Sequence, residues 1–149
     1  MAGASQPTII AVANQKGGVA KTTTAVNLTA LLALAGKRVL LVDMDPQGGC
    51  AVCLGMDTEA LERSIYDALV KPEVGIADVV VPTAFDFDLA PANIDLAGAE
   101  IELKQALAAE TVLQRKLKPV LDKYDYIVID TPPSLGILTV NSLTAADKV

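Results

Sequence analysis

A glycine-bearing loop with two lysines, set between an apolar run and a long helical pattern, constrains this chain more than any other feature. The apolar run is TIIAVA at 8–13, and the loop reads NQKGGVAKTTT at 14–24. Strand, glycine loop, Lys-Thr and helix is the arrangement that cradles nucleotide phosphates, because loop amides and a helix N-terminus present converging N–H donors. The sequence therefore predicts a phosphate-binding loop.

Within this loop two side chains have specific chemistry. Lys21 can reach the β- and γ-phosphate oxygens of a nucleotide, and the Thr22 hydroxyl can ligate Mg²⁺. An ordinary glycine-containing turn before a helix is the alternative. The candidate nucleotide-binding residues are Gly17, Gly18, Val19, Ala20, Lys21, Thr22 and Thr23.

The loop departs from the usual G-x-x-x-x-G-K-[ST] string, because Gln15 and Ala20 occupy its two glycine positions and Lys16 is added. The pattern K-G-G-x-x-K-T resembles the deviant Walker A family, which includes ParA-type partition ATPases, MinD and the nitrogenase iron protein. Asn14-Gln15 and the later string DMDPQG at 43–48 are similar to the ParA branch in particular. Ala20 replaces a glycine usual in that family. The change is mild if the backbone there is helical, and costs about 1–2 kcal/mol if φ is positive.

Composition narrows the class of protein. With 149 residues the chain is expected to be one domain, 1–149, and 52% hydrophobic residues with 20% charged predict a filled globular core. Aromatics make up only 3%, so this core should be aliphatic. A net charge of −6 argues against general affinity for DNA or anionic membranes. Lacking an apolar run of ~20 residues, the chain is expected in the cytoplasm.

Asp43 and Asp45 follow the apolar run RVLLV at 38–42, whose length and continuity are typical of a parallel strand covered on both faces. Carboxyl ends of such strands are where open α/β sheets bind ligands. A solvated turn is the alternative for Asp-x-Asp-Pro. The family resemblance implies that Asp45 orients the attacking water and that Asp43 supports the magnesium shell.

A second apolar strand, 126–130, also ends in aspartate and is followed by Thr131-Pro132-Pro133. An apolar strand ending in Asp beside a phosphate-loop strand is a Walker B element, so Asp130 is expected to hold magnesium through water. The strand at 9–13, which precedes the phosphate loop, and the strand at 126–130 should be neighbours in the sheet.

Cys50 and Cys53 form a C-x-x-C pair that invites a redox or metal interpretation. With no histidine and no third cysteine, the chain cannot complete a four-ligand zinc site from such residues unless subunits share ligands. The pair falls in an expected short helix, where Cys serves as a small apolar residue. We favour structural packing over a shared iron–sulfur cluster.

The remaining patterns predict helices at 22–35, 61–70, 110–124 and 135–145, with Pro119 bending or dividing the third. A short strand is expected at 87–90, and 147–149 reads as the start of another. The stretch 76–81 fits either a short helix or a strand. Cations at 115, 116, 118 and 123 favour a solvated helix face over a nucleic-acid contact.

Together these features predict an α/β three-layer P-loop NTPase fold with a mainly parallel sheet, in which the C-terminal part of the usual fold is missing. The resemblance implies binding and hydrolysis of Mg-ATP, with ADP as product, in chromosome or plasmid partitioning. Catalysis would rest on Lys16, Lys21 and Asp45, and the metal on Thr22, Asp43 and Asp130. Lys16 would reach across an ATP-dependent homodimer.

The resemblance also implies a ParB-type stimulating protein, nucleoid association of the full-length family, and non-specific DNA binding only through the missing region. A non-hydrolysing binding module is the main alternative. MinD-like membrane positioning is disfavoured, because an amphipathic C-terminal helix is not seen. A chain ending at Val149 is expected to leave the strand 9–13 as a partly open sheet edge, to self-associate without nucleotide and to hydrolyse ATP slowly.

Overall fold

The computed structural model describes residues 5–14 and 20–149, and its centre is a five-stranded sheet. The strands are β1 (Thr8–Val12), β2 (Val39–Asp43), β3 (Val81–Pro82), β4 (Asp88–Ala90) and β5 (Tyr126–Asp130). Their order is β1-β5-β2-β4-β3. β1, β5, β2 and β4 pair in parallel, and β3 alone is antiparallel to its neighbour. The expected mainly parallel sheet is confirmed.

Helices cover both faces of this sheet. The α-helices are α1 (Ala20–Leu34), α2 (Gly49–Cys53), α3 (Ile65–Val70), α4 (Ile76–Val79), α5 (Leu96–Lys104), α6 (Val112–Leu117) and α7 (Ile137–Ala145). One apolar cluster packs α1 and α2 against Leu41 and Val128 on one face of the sheet. A larger cluster packs the five helices from α3 through α7 against Leu40 and Ile127 on the other face. Alternate residues of β2 and β5 thus face opposite layers, which confirms the three-layer architecture.

β1 and β5 are direct neighbours, as expected for the two Walker strands. Their register pairs Val12 with Asp130, and β2 on the other side of β5 pairs Asp43 with the same Asp130. All five residues of β2 are buried, as the continuous apolar run predicts. Three strands therefore end level with one another.

The structure shifts the predicted helix starts, that of α3 most. The pattern predicted a helix over 61–70, but α3 begins only at Ile65, because Ser64 accepts a hydrogen bond from the Tyr66 amide and Asp67 accepts one from the Ser64 amide. This capping box fixes the first turn, which apolar periodicity alone does not reveal. Likewise α7 begins at Ile137 rather than at residue 135.

Two open points of the sequence are resolved. The stretch 76–81 contains both candidates, since α4 ends at Val79 and β3 begins at Val81. The predicted helix over 110–124 is divided near Pro119: α6 ends at Leu117, and a 3₁₀ segment, Lys118–Lys123, follows with the proline at its start. Proline lacks the N–H that an α-helix needs there.

The helix that follows the phosphate loop is less enclosed than its composition suggests. α1 buries Lys21, Ala25 and Thr29, which recur every fourth residue along one face, whereas Leu31 is 64% exposed and Leu34 is 84% exposed. Leu31 therefore faces away from the sheet, because the face with the small residues Ala25 and Thr29 is the one that lies on it. Across the described ranges 5–14 and 20–149, no helix has the length and apolarity needed to cross a membrane.

The expected strand start at 147–149 lies on the outer side of β1. Asp147 donates its amide to the Ile9 carbonyl at 2.8 Å, the Ala11 amide donates to the Lys148 carbonyl at 2.9 Å, and Ile10 forms a parallel bridge with Lys148. The Asp147 carboxylate also accepts from the Ile9 amide at 2.9 Å. The chain after α7 therefore returns to the outer side of β1.

Candidate nucleotide and metal site

The level ends of β2 and β5 bring together acidic residues that are far apart in the sequence. Asp43 and Asp130 are register partners and are completely buried. The first turn of α1 supplies Lys21, which is only 6% exposed, and Thr22. Crossover connections bring the carboxyl ends of parallel strands to one edge, so the sheet positions these four residues.

Several residues expected in the phosphate loop lie outside the described part of the chain: Lys16, Gly17, Gly18 and Val19. Ala20 is described and is the first residue of α1. Its φ is not positive, since among the described non-glycine residues only Asp86 and Ala108 have that conformation. A methyl group at residue 20 therefore carries no left-handed penalty.

Thr22 is held directly on the Walker B strand. Its Oγ1 donates to Asp130 Oδ2 at 2.8 Å. Asp130 Oδ1 is buried and has no hydrogen-bond partner among residues 5–14 and 20–149. A hydroxyl and carboxylate oxygens are the ligands that Mg²⁺ prefers. Thr22 and Asp130 therefore fit a magnesium ion, and the unpartnered oxygen is the atom that a cation or its bound water would satisfy.

α2 approaches this threonine closely. A Cβ added to Gly49, the first residue of α2, would lie 3.2 Å from Thr22 Cγ2 and 3.5 Å from Thr22 Oγ1. A side chain at residue 49 would therefore crowd the methyl group of Thr22, so glycine suits the close approach of α2 to this threonine.

The Asp43 carboxylate organises the loop between β2 and α2. Its Oδ1 accepts from the Asp45 amide at 3.0 Å, and its Oδ2 accepts from the Cys50 amide at 3.2 Å. Burial raises the pKa of Asp43 from its ordinary 3.8 to about 7, with a smaller contribution from the neighbouring Asp130, and these two amide bonds oppose the rise. Burial likewise raises the pKa of Asp130, against the Thr22 and Cys50 hydrogen bonds.

Asp45 faces the phosphate-loop lysine. Lys21 Nζ lies 4.0 Å from Asp45 Oδ2, and Asp45 Oδ1 accepts from the Gln47 amide at 3.0 Å. The two side chains are 5% and 14% exposed, so this ion pair is poorly screened by water. The lysine and the aspartate assigned to catalysis by resemblance thus lie side by side. Thr23 lies exposed on the first turn of α1.

Backbone and hydroxyl contacts fix the strand ends relative to one another. The Met44 amide donates to the Asp130 carbonyl at 2.8 Å, which continues the β2–β5 ladder beyond both strands. Thr131 donates its amide at 3.3 Å and its hydroxyl at 2.8 Å to the Val12 carbonyl. The loop after β5 is therefore tied to the end of β1, where the phosphate loop begins.

Cys50 lies both in the apolar core and beside the acidic site. Burial of Cys50 in the cluster around α1 and α2 agrees with structural packing, but its Sγ also lies 3.4 Å from Asp130 Oδ2. Burial, and then the Asp43 and Asp130 charges, strongly raise the pKa of its thiol. Cys53 is exposed, and both thiols are free. Only the seven-residue spacing from Asp43 could have hinted at this contact, and that spacing is not a recognised motif.

A family model described as AAA domain matches residues 7–149. The chain belongs to this family. The chain resembles ParA-type proteins within this family. It is 54% identical over 142 residues to the sporulation initiation inhibitor protein Soj of Bacillus subtilis, and the alignment covers 95% of this chain and 56% of Soj. The chromosome partitioning protein ParA of Myxococcus xanthus is 49% identical over 95% of this chain and 50% of its own length.

Solved structures agree with this ParA-like AAA domain. A cobyrinic acid a,c-diamide synthase from Mycobacterium smegmatis, solved with a bound ATP analogue and magnesium, matches with a TM-score of 0.91 at 48% identity, over 94% of this chain and 57% of that one. The chain spans about half the length of the curated relatives it matches. The aligned half of each relative therefore corresponds to nearly all of this chain, including the two Walker strands, β1 and β5.

Proposed function

We propose that this domain binds Mg-ATP and hydrolyses it, within a protein that uses an ATP-dependent dimer switch in chromosome or plasmid partitioning. The observation that carries the proposal is the convergence of Lys21, Thr22, Asp43, Asp45 and Asp130 at the level ends of β2 and β5. The similarity to Soj and to a chromosome partitioning protein ParA supports the proposed role in partitioning.

Each side chain has a role that its surroundings support. Lys21 holds the phosphates, since it is a buried cation at the start of α1, 4.0 Å from Asp45. Thr22 and Asp130 hold Mg²⁺, which when bound neutralises developing phosphate charge. Asp43 supports the metal shell by orienting the loop to α2, and Asp45 positions the attacking water. Catalysis is then mainly positioning and electrostatics.

Nucleotide binding is tested by calorimetry with Mg-ADP on Lys21→Ala, with Lys37→Ala as the matched control. Lys37 is an exposed lysine beyond the other end of α1, so its removal changes net charge equally without touching the site. We expect Lys21→Ala to lose affinity strongly and Lys37→Ala to retain it. Equal affinity of Lys21→Ala and the parent would refute the phosphate-site assignment.

We also propose that Lys16 contacts the nucleotide of a second subunit. Lys16→Ala should then preserve ADP binding while abolishing ATP-dependent dimerisation, measured by sedimentation on the protein that contains this domain in full length. Asp45→Ala should instead prolong the ATP-bound dimer, because the group that places the water is gone. A Lys16→Ala protein that dimerises normally with ATP would contradict the role in trans. A ParB-type protein is the proposed stimulator.

A non-hydrolysing binding module is distinguished by measuring nucleotide affinity and turnover separately. Because Ala20 begins α1 with a helical backbone, it is not expected to block turnover. Ala20→Gly should therefore leave ATP hydrolysis close to that of the parent, because residue 20 is the first of α1 and the cost of glycine inside a helix does not apply there. A parent that binds Mg-ATP without turnover, and gains it in Ala20→Gly, would instead favour the binding module.

A further inference from the structure

A buried thiol beside the candidate magnesium site has no part in the proposed ATPase. Asp43, Cys50 and Asp130 each offer one ligand atom, and these three atoms lie within 4.8 Å of one another. All three residues are fully buried. We propose that Asp43, Cys50 and Asp130 form a binding site for a thiophilic divalent cation, zinc in particular, overlapping the magnesium site. The inference goes beyond the proposed function and does not require ATP hydrolysis.

The donor set selects the class of cation. Mg²⁺ takes oxygen ligands in near-octahedral geometry and keeps several waters. A thiolate beside carboxylates suits Zn²⁺ or Cd²⁺ instead, because softer metals gain from sulfur ligation. With Cys50, the cluster offers a sulfur donor in addition to the carboxylate oxygens of Asp43 and Asp130. As the sulfur–metal bond forms, the Cys50 thiol proton passes to solvent.

The spacing suits a tetrahedral ion. Zn–S bonds of about 2.3 Å and Zn–O bonds of about 2.1 Å place sulfur and oxygen ligands roughly 3.6 Å apart. Cys50 Sγ already lies 3.4 Å from Asp130 Oδ2. The limit of 4.8 Å on the other pairs means that the Asp43 carboxylate must close in by roughly 1.2–1.4 Å at most, while its two oxygens also accept from the Asp45 and Cys50 amides.

An independent observation marks the same place as incomplete. Asp130 Oδ1 is buried and finds no hydrogen-bond partner within the described ranges, although buried polar atoms are nearly always partnered. The Thr22 hydroxyl, 2.8 Å from Asp130 Oδ2, or a water is available as the fourth ligand. Cys53, one turn further along α2, is exposed and does not belong to the cluster.

The test is a cadmium titration of the nucleotide-free chain, read from the ultraviolet charge-transfer band of a cadmium–thiolate bond. The chain has 2 cysteines, so Cys53→Ser leaves Cys50 as its only thiol. We expect Cys53→Ser to show the band, saturating at one ion per chain, and Zn²⁺ to displace it. Absence of the band in Cys53→Ser would overturn the proposal.

Two further variants separate the cluster from an isolated thiol. Cys50→Ser should lose the saturable band while keeping its circular dichroism, and a band as strong as the parent's would overturn the proposal. Asp43→Asn in the Cys53→Ser background should bind cadmium at least about tenfold more weakly; unchanged affinity would show that the carboxylate is not a ligand. Because no nucleotide is present, failure here leaves the ATPase proposal standing, and failure of nucleotide binding leaves this one standing.

Discussion

Gly48 offers a sharp test of how the loop between β2 and α2 positions Asp45. Gly48 has φ +66, and a Cβ there would lie 2.9 Å from the Ala92 carbonyl oxygen. Gly48→Ala therefore combines a left-handed backbone, about 1–2 kcal/mol for a residue with a Cβ, with overpacking against a backbone atom that cannot rotate away, about 1–3 kcal/mol. We expect it to lower the free energy of unfolding by about 2–5 kcal/mol.

Gly55 is the matched control, because its φ of +70 is almost the same and nothing in the described ranges lies within 4 Å of its added Cβ. Gly55→Ala should therefore pay only the conformational cost, about 1–2 kcal/mol. Urea unfolding gives both values, provided that the slope m is unchanged between variants. Equal destabilisation of the two variants would refute the argument that the Ala92 carbonyl limits this loop.

The same substitution has a functional consequence. The Gly48 amide donates to the Asp45 carbonyl at 3.0 Å, so a displaced Gly48 displaces the residue proposed to orient water. Gly48→Ala should lower ATP turnover more than Mg-ADP affinity, and Gly55→Ala should change neither. A Gly48→Ala protein with parental turnover would show that Asp45 does not depend on this turn.

Three further predictions concern the same region. Burial raises the pKa of Asp43 from 3.8 to about 7, so between these pH values the native state keeps a proton that the unfolded chain loses. The free energy of unfolding should therefore fall as pH rises from 3.8 to about 7, by at most about 4 kcal/mol. Urea midpoints should show this fall in the parent, and an equal slope in Asp43→Asn would contradict it. Ser64→Ala should cost about 1 kcal/mol by removing the α3 cap, and an unchanged midpoint would argue against the capping box. Gly49→Ala should crowd Thr22 and weaken magnesium-dependent nucleotide affinity in calorimetry, whereas parental affinity would show that α2 can shift away.

The sheet and the acidic site follow from the sequence because the signals are local. Apolar runs at 8–13, 38–42 and 126–129 each fix a buried strand, and an aspartate at the end of two of them marks the ligand-binding edge. Neighbouring Walker strands then require Asp43, Asp130 and Thr22 to meet, as the structure shows. The ends of the second and third strands are predictable because each run stops at an aspartate, which the core cannot accept without partners.

Features that apolar spacing does not encode were not predictable in the same way. The start of α3 depends on the Ser64 cap, in which the Ser64 hydroxyl accepts from the Tyr66 amide and Asp67 accepts from the Ser64 amide. The exposure of Leu31 depends on which face of α1 meets the sheet, and this helix is apolar on nearly every side. Periodicity cannot orient a helix without a polar face.

The electrostatics of the strand ends connect the fold to its proposed function. Asp43 and Asp130 are completely buried side by side, and burial of a carboxylate is costly unless hydrogen bonds or a cation offset it. Amides of the loop and the Thr22 hydroxyl offset part of that cost, but Asp130 Oδ1 stays unpartnered within the described ranges. A cation bound at this place, whether magnesium with nucleotide or the softer ion proposed to engage Cys50, would offset the rest of that cost.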